Sequence, residues 1–164
     1  MEKIDIITLI TKEGKEVEIT KKEAELSELL NGAINDFPSE KKFPLKEIDE
    51  KTTNSVKEFL VHFNGSVPPE IKKPLTSNDM KNVTDEWSAN FLNKFTMDEL
   101  SDLTVAANYM GINSLFDFCC AKVASFFKDK SEEEVLKDFN IKDPLTEEEK
   151  NKIREENKWI GENL

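Results

Sequence analysis

The segment at residues 112–127 constrains the fold more than any other part of the chain. Arranged as a helix, it carries one apolar stripe made of Ile112, Phe116, Cys119, Val123 and Phe126. A second apolar stripe consists of Leu115, Cys120, Ala124 and Phe127. A helix that is apolar around most of its circumference must be buried on more than one side. We therefore expect one face to pack in the core and the other to meet either another piece of this chain or a different protein.

The sequence after residue 127 is predicted to be helical but poorly supported by packing. Ser131 with Glu134, and Thr146 with Glu149, have the spacing of a capping box, which begins a helix. The large apolar residues here are few, namely Val135, Leu136, Phe139, Ile141, Leu145, Ile153, Trp159 and Ile160. Short helices are marginal in water unless packing stabilises them. We expect this tail to be loosely held in the free chain and ordered by docking.

The first half of the chain mixes strand and helix patterns. Residues 4–10 are β-rich and nearly all apolar, which predicts a central strand covered on both faces. Residues 16–19 alternate like a half-exposed strand after a turn at Gly14, so the two form a hairpin. The further predicted elements are a helix from the capping box at Thr20 through Ile34, a strand at 43–45, helices at about 49–64, 87–95 and 96–110, and a surface loop at 66–84. This order indicates an α/β fold.

Composition restricts the partners and the location. The 164 residues include 23 Lys and Arg against 34 Asp and Glu, for a formal charge of -11, which disfavours nucleic acid and membrane surfaces. The length fits one domain with an extension. No apolar run reaches the roughly 20 residues that cross a bilayer, and no secretory leader is evident, so we expect a soluble, intracellular protein. The adjacent Cys119 and Cys120 cannot join distant segments and are predicted to be thiols.

The sequence gives no support for catalysis. Its one histidine, His62, is expected to have a packing or surface role, since a nucleophile-base pair needs a titrating partner that the chain does not otherwise supply. Metal-binding and phosphate-binding patterns are missing, and the five glycines are scattered, so neither a metal nor a cofactor is expected. Acidic triplets at 132–134 and 147–149 are interpreted as helix-capping residues. The chain is therefore not expected to be an enzyme.

Three blocks resemble the S-phase kinase-associated protein family, the adaptor subunits of SCF-type (Skp, cullin, F-box) ubiquitin ligases. Residues 106–117, Ala-Ala-Asn-Tyr-Met-Gly-Ile-Asn-Ser-Leu-Phe-Asp, are similar to its AANYLxIxxLxD stretch. The second block is its C-terminal signature, matched at 139–142, 146–149 and 154–159. The third is Trp87 with Phe91 and Leu92, which fits a WxxxFL pattern. The resemblance runs from the first strand to the last helix.

The resemblance implies a BTB/POZ-type α/β domain over residues 1–127, with a small N-terminal sheet, followed by a two-helix F-box-binding extension at 128–164. It also implies a non-catalytic adaptor that bridges the N-terminal region of a cullin and F-box substrate receptors in ubiquitin-dependent protein degradation. The expected location is the cytoplasm and nucleus. Whether the chain forms a weak homodimer when its partners are absent is left undecided by the resemblance.

Individual roles follow from the resemblance position by position. Asn108 and Tyr109 match residues at the cullin interface. The positions expected to bind the F-box are Leu100, Phe116, Cys120, Val123, Phe139, Ile141 and Trp159. Ser101 and Thr104 stand where relatives often carry larger apolar residues, and Phe116 and Phe118 are bulkier than usual. These differences are expected to affect which F-box sequences the chain can bind.

Alternatives remain at this stage. An elongin C-like adaptor has the same fold, but the tail after residue 128 argues against it because that adaptor lacks such an extension. A self-associating BTB scaffold would use the exposed face of the sheet and the first helices. A small-molecule enzyme would require a polar pocket with convergent acids.

Overall fold

The computed structural model describes residues 5–142 and 145–161. Ile4, where the first predicted strand begins, and the side chain of Ile160 lie outside the described residues. The chain divides into two compact units, one ending at Lys128 and one beginning at Asp129. The first unit holds the sheet and most of the helices, and the second holds three short helices. No helix in the described ranges is both long and apolar enough to span a membrane.

The sheet of the first unit has three strands in the order β2-β1-β3. β1 (Ile6–Ile10) pairs antiparallel with β2 (Glu16–Thr20) and parallel with β3 (Lys42–Pro44). The turn between β1 and β2 contains Gly14 at φ +77°, a conformation that glycine adopts without strain. The mixed α/β class, the hairpin and the central position of β1 are therefore confirmed.

The burial of β1 differs from the sequence expectation. Ile7 and Leu9 are fully buried, but Ile6 is 44% exposed. The face that Ile6 shares with Thr8 and Ile10 is only partly covered, so the prediction of a strand covered on both faces is wrong. β3 also begins one residue earlier than expected, with Phe43 in register with Leu9.

Six α-helices and one 3-10 turn complete the first unit. Their bounds are α1 (Lys21–Ala24), α2 (Glu28–Asp36), α3 (Glu50–Phe63), the 3-10 turn (Met80–Asn82), α4 (Glu86–Leu92), α5 (Met97–Tyr109) and α6 (Asn113–Phe127). The one helix expected from Thr20 to Ile34 is in fact two, because Ser27 caps a new helix by accepting from the Leu30 N–H. α4 stops at Leu92, short of the predicted Phe95, since Thr96 already caps α5.

An aromatic cluster organises the core between α3, α4 and α6. Phe59 is fully buried and lies 6.0 Å from Phe91 and 5.9 Å from Phe118, measured between ring centroids. Edge-to-face and tilted rings at these separations add to the stabilisation from burial alone. Phe63 and Trp87 extend the cluster toward the surface. The inner face of α6 is thereby fixed to the domain.

The second unit contains α7 (Glu132–Asp138), α8 (Glu147–Glu156) and α9 (Lys158–Gly161). Both predicted capping boxes are present: the Ser131 hydroxyl accepts from the Glu134 N–H, and Thr146 accepts from Glu149 in the same way. No residue at 129–142 or 145–159 is buried. These helices therefore depend on their caps rather than on a core of their own.

Candidate interaction surfaces

One candidate surface is the exposed stripe of α5. The inner face of this helix is buried through Leu103 and Ala107, while Val105 and Tyr109, four residues apart, project outward and are 67% and 45% exposed. Asn108 is exposed beside Tyr109. Because two large apolar side chains share a solvent-facing stripe, this surface is suited to contact with another protein. The stripe contains both residues predicted from sequence to bind a cullin.

A groove of about 340 Å³ runs along this stripe. It lies between α5 and the segment that leads into α3. The lining residues are Glu47, Ile48, Asp49, Thr52, Asp102, Val105, Ala106 and Tyr109. The groove therefore has an apolar floor and three carboxylates around it, with no lysine or arginine in its lining. Its chemistry suits a protein segment better than a small polar substrate.

The end of α5 that carries Tyr109 is held by α2. The Ser27 hydroxyl donates to the Met110 carbonyl at 2.6 Å. The Glu28 N–H donates to the Gly111 carbonyl, and the Leu29 N–H donates to the Met110 carbonyl, both at 3.2 Å. These bonds satisfy carbonyl groups that a helix end otherwise leaves without partners. Gly111 permits the tight approach with φ +63°. The position of Tyr109 is thus fixed by backbone contacts from a distant part of the sequence.

Carboxylates near the groove are kept ionised by local hydrogen bonds. The pKa of Asp49 is lowered, chiefly by the Thr52 N–H, which donates to its carboxylate at 2.7 Å. The pKa of Glu99 falls to about 2 because it accepts from the Lys51 ammonium and from the Thr96 N–H. Both groups therefore carry full negative charge at neutral pH.

A second candidate surface is the outer face of α6. Leu115, Phe118 and Cys119 are buried, which fulfils the first half of the expectation for this helix. Phe116 and Val123 are only partly buried against the core, Cys120 is exposed, and Phe127 is 40% exposed. The outer face therefore keeps an apolar strip that its own unit does not cover. Phe116, Cys120 and Val123, all predicted from sequence to bind an F-box, lie on it.

Both cysteines are free thiols in different surroundings. Burial raises the pKa of Cys119 to about 12, against a small opposing effect from the Thr104 hydroxyl. The pKa of Cys120 is also raised, first by partial burial and then by Asp117. Neither thiol is therefore activated as a nucleophile at neutral pH.

The assignment of Leu100 to a partner surface is corrected by the structure. Leu100 is fully buried in the core of the first unit, on the same face of α5 as Leu103 and Ala107. A side chain with no accessible surface cannot contact a partner without unpacking the domain. Leu100 is a core residue, as its helical spacing with Leu103 already indicates.

The tail offers a third set of exposed apolar side chains. Ile141 and Trp159 are 53% and 63% exposed, and Leu145 and Ile153 are also exposed. Phe139, which follows α7, is partly buried. Trp159 combines a large apolar ring with a polar N–H group, and such side chains are enriched at protein interfaces. The three tail residues predicted to bind an F-box thus lie in a segment that has no buried residue in its described part.

His62 has the packing role expected of it. Its ring stacks on Trp87 with centroids 3.5 Å apart and an angle of 2° between the planes. No group of three His, Cys, Asp or Glu side chains suited to a metal ion occurs within the described ranges. His62 therefore belongs to an aromatic stack at the surface of the core.

Several surface residues were missed by the sequence reasoning. Val105, Glu47 and Asp102 all line the groove, yet none was predicted to be functional. The one local signal is that Val105 interrupts an otherwise polar outer stripe of α5, four residues before Tyr109. Glu47 lies far from α5 in the sequence, and only the fold brings it to the groove.

Comparison with known proteins gives consistent relatives. Residues 113–160, which cover α6 and most of the tail, match the family model described as "Skp1 family, dimerisation domain". The chain is 35% identical to the "S-phase kinase-associated protein 1 homolog" of Tetrahymena thermophila, over 95% of this chain and 94% of that protein. It is 34% identical to the "E3 ubiquitin ligase complex SCF subunit sconC" of Arthroderma benhamiae, over 95% of each chain. The protein of the same name from Arthroderma otae is 34% identical over 93% of both chains.

Proposed function

The chain belongs to the Skp1 family, and on this premise we propose that it is the adaptor subunit of an SCF-type E3 ubiquitin ligase. It bridges the N-terminal region of a cullin and an F-box protein, and the F-box protein selects the substrate for ubiquitin-dependent degradation. The adaptor itself is not an enzyme and uses no cofactor. The observation that carries the proposal is similarity to SCF subunits along 95% of the chain. That similarity includes the tail and favours this role over an elongin C-like one.

We assign cullin binding to the α5 groove, with Asn108 and Tyr109 at its end. The support is an exposed apolar pair, Val105 and Tyr109, on a helix that α2 holds rigidly. Tyrosine is a frequent interface anchor because it combines a large apolar area with a polar tip. A preformed surface of this kind binds without a large ordering cost.

We assign F-box binding to the outer face of α6 and the tail. The residues are Phe116, Cys120 and Val123 on α6, with Phe139, Ile141 and Trp159 in the tail. The support is that Cys120, Ile141 and Trp159 are exposed and that Phe116, Val123 and Phe139 are only partly buried. If an F-box protein buries both regions, the total buried area should be large and apolar, above roughly 2,000 Å².

The mechanism is scaffolding rather than chemistry. Two binding events on one adaptor keep the substrate near the ubiquitin-loaded conjugating enzyme that the cullin assembly carries. This raises the effective concentration of one reactant around the other. We further propose that the first 127 residues form a BTB/POZ-type domain and that the protein acts in the cytoplasm and nucleus. The two free cysteines support a reducing compartment.

The division into two surfaces is tested with two substitutions. Trp159→Ala should weaken binding of an F-box protein by about 30-fold, equivalent to about 2 kcal/mol, and leave cullin binding unchanged. Tyr109→Ala should do the reverse. Val67→Ala, at a 91% exposed apolar residue outside both surfaces, serves as the control. Affinities are measured by calorimetry with the purified full chain, and equal loss of both partners in either variant contradicts the division.

We propose a weak homodimer in the absence of an F-box protein. The support is that residues 113–160 match a family model described as a dimerisation domain and include the uncovered face of α6. Analytical ultracentrifugation should show a dimer at high concentration that an F-box protein dissolves. A dimer that persists with the F-box bound would instead favour self-association through the sheet.

A further inference from the structure

Asp117 places a carboxylate at the border of the outer face of α6. It follows Phe116 directly and precedes Cys120 by three positions, so Asp117 and Cys120 are neighbours on the helix surface. Asp117 is itself partly buried. A protein that covers the outer face would therefore also withdraw this carboxylate from water. Burying a charge is costly unless an opposite charge compensates it.

A lysine from the loop between α3 and the 3-10 turn pairs with this carboxylate. The Lys73 ammonium lies 3.0 Å from the Asp117 carboxylate, although the two residues are 44 positions apart. Pro68 and Ile71 are buried, which anchors the loop shortly before Lys73. Partial burial and Asp117 raise the pKa of Cys120, whereas Lys73 opposes them, so the charge of the ammonium also acts at the outer face of α6.

The pair contributes little while the outer face of α6 is uncovered. The side chains of Lys73 and Asp117 are 70% and 44% exposed, and ion pairs as exposed as this add little to the stability of a fold. Their effect grows when a partner excludes water, because removing one member then leaves the other charge buried without compensation. The loss of Lys73 should therefore affect binding rather than folding.

We propose that Lys73 neutralises Asp117 so that an F-box protein can pack apolar side chains across the outer face of α6. The inference rests on the proposed function and adds to the F-box-binding surface a determinant that lies outside α6 and the tail. Lys73 acts through Asp117 and is a positioning residue in this sense. It also restricts the partner, because Lys73 repels a lysine or arginine brought to Asp117, whereas an apolar side chain there is accepted.

The experiment measures the affinity of the full chain for a purified F-box domain by calorimetry. Lys73→Met removes the ammonium and keeps a side chain of similar length. Lys73→Met combined with Asp117→Asn removes both charges of the pair. Lys42→Met is the matched control, since it breaks a pair with Glu16 on the sheet, where the two side chains are 55% and 56% exposed.

Lys73→Met should weaken F-box binding by about tenfold, because Asp117 is then covered without a compensating charge. The double variant should return to within about threefold of the wild type, since no charge of the pair is left to bury. The Lys42→Met control should stay within about twofold of the wild type. Cullin affinity and the free energy of unfolding should be unchanged in all three variants.

Unchanged F-box binding by Lys73→Met would overturn the inference. Equal weakening in the single and double variants would overturn it too, because the role of Lys73 would then not depend on the charge of Asp117. If Trp159→Ala still weakens F-box binding in either case, the proposed function stands without the inference. Failure of the wild type to bind any F-box domain would remove both.

Discussion

Replacing Gly111 by alanine is expected to destabilise the first unit, whereas the same replacement at Gly32 is expected to stabilise it. Gly111 has φ +63° between α5 and α6, and a Cβ there would lie 2.9 Å from the Cβ of Glu28. Gly32 lies within α2, and a Cβ there would have no atom within 4 Å. The two substitutions add the same methyl group, so the comparison isolates backbone conformation and local space.

The magnitudes follow from these geometries. A left-handed conformation costs alanine about 1.5 kcal/mol, and crowding against Glu28 adds about 1 kcal/mol. Alanine recovers about 0.5 kcal/mol by restricting the unfolded chain. The net loss at Gly111 is therefore about 2 kcal/mol, or a fall in Tm of about 8 °C for a unit of this size. At Gly32 the gain is about 0.5–1 kcal/mol, since alanine is the better helix former.

Urea unfolding followed by tryptophan fluorescence provides the measurement. Trp87 packs in the first unit and Trp159 lies in the tail, so a Trp159→Phe background leaves one reporter of the first unit. Unfolding free energies for the two glycine variants are compared in that background. Because Gly111 adjoins the backbone bonds that hold Tyr109, Gly111→Ala should also weaken cullin binding, while Gly32→Ala should not.

A neutral Gly111→Ala would refute the claim that this junction is sterically tight. Destabilisation of similar size at both glycines would refute the conformational argument, because Gly32 has open space and a helical backbone. Loss of stability at Gly111 with unchanged cullin affinity would show that the α2–α5 junction does not position Tyr109.

Further predictions concern single contacts. Ser27→Ala should lower the unfolding free energy by about 1–2 kcal/mol in the same urea assay, since it removes the cap of α2 and the bond to the Met110 carbonyl. The control, Ser131→Ala in the exposed tail, should leave that transition unchanged. Because the pKa of Glu99 is lowered, its carboxylate should contribute stability that is fully present above about pH 4.5 and is lost as the pH falls toward about 2. Glu99→Gln should therefore reduce the change in unfolding free energy over this pH range. Iodoacetamide should modify Cys120 and spare the buried Cys119 in the native protein. The reaction of Cys120 should be faster at pH 9 than at pH 7, because its raised pKa keeps the thiol protonated at neutral pH. Mass spectrometry of peptides identifies the modified site, and equal modification of the two cysteines would contradict the burial of Cys119.

Features set by a few neighbouring residues could be predicted from the sequence. The predicted capping boxes at Thr20, Ser131 and Thr146 are all present, because the bonds of each box join residues three apart. The turn at Gly14 is also as expected. Local chemistry alone determines such elements.

Features that depend on distant contacts could not be predicted. Ser27 divides the first predicted helix and bonds Met110, 83 positions away, which no periodicity reveals. Ile6 is exposed because nothing in the first unit fully covers that face of β1, although its residue type fits a buried strand. The groove beside Val105 exists only because the chain before α3 folds against α5.

The two proposed interfaces differ physically. At the α5 groove, backbone bonds from α2 hold the surface in place before a partner arrives, so binding adds contacts to an ordered site. In the tail, the capping boxes fix where helices begin, but no described side chain there is buried. Under the proposed function, an F-box protein would supply the core that these helices lack, and part of its binding energy would be used to order them. Affinity at the groove should then be sensitive to the shape and charge of a few side chains. Affinity at the tail should depend instead on how much apolar area the F-box buries, because that area sets how fully the ordering cost is offset.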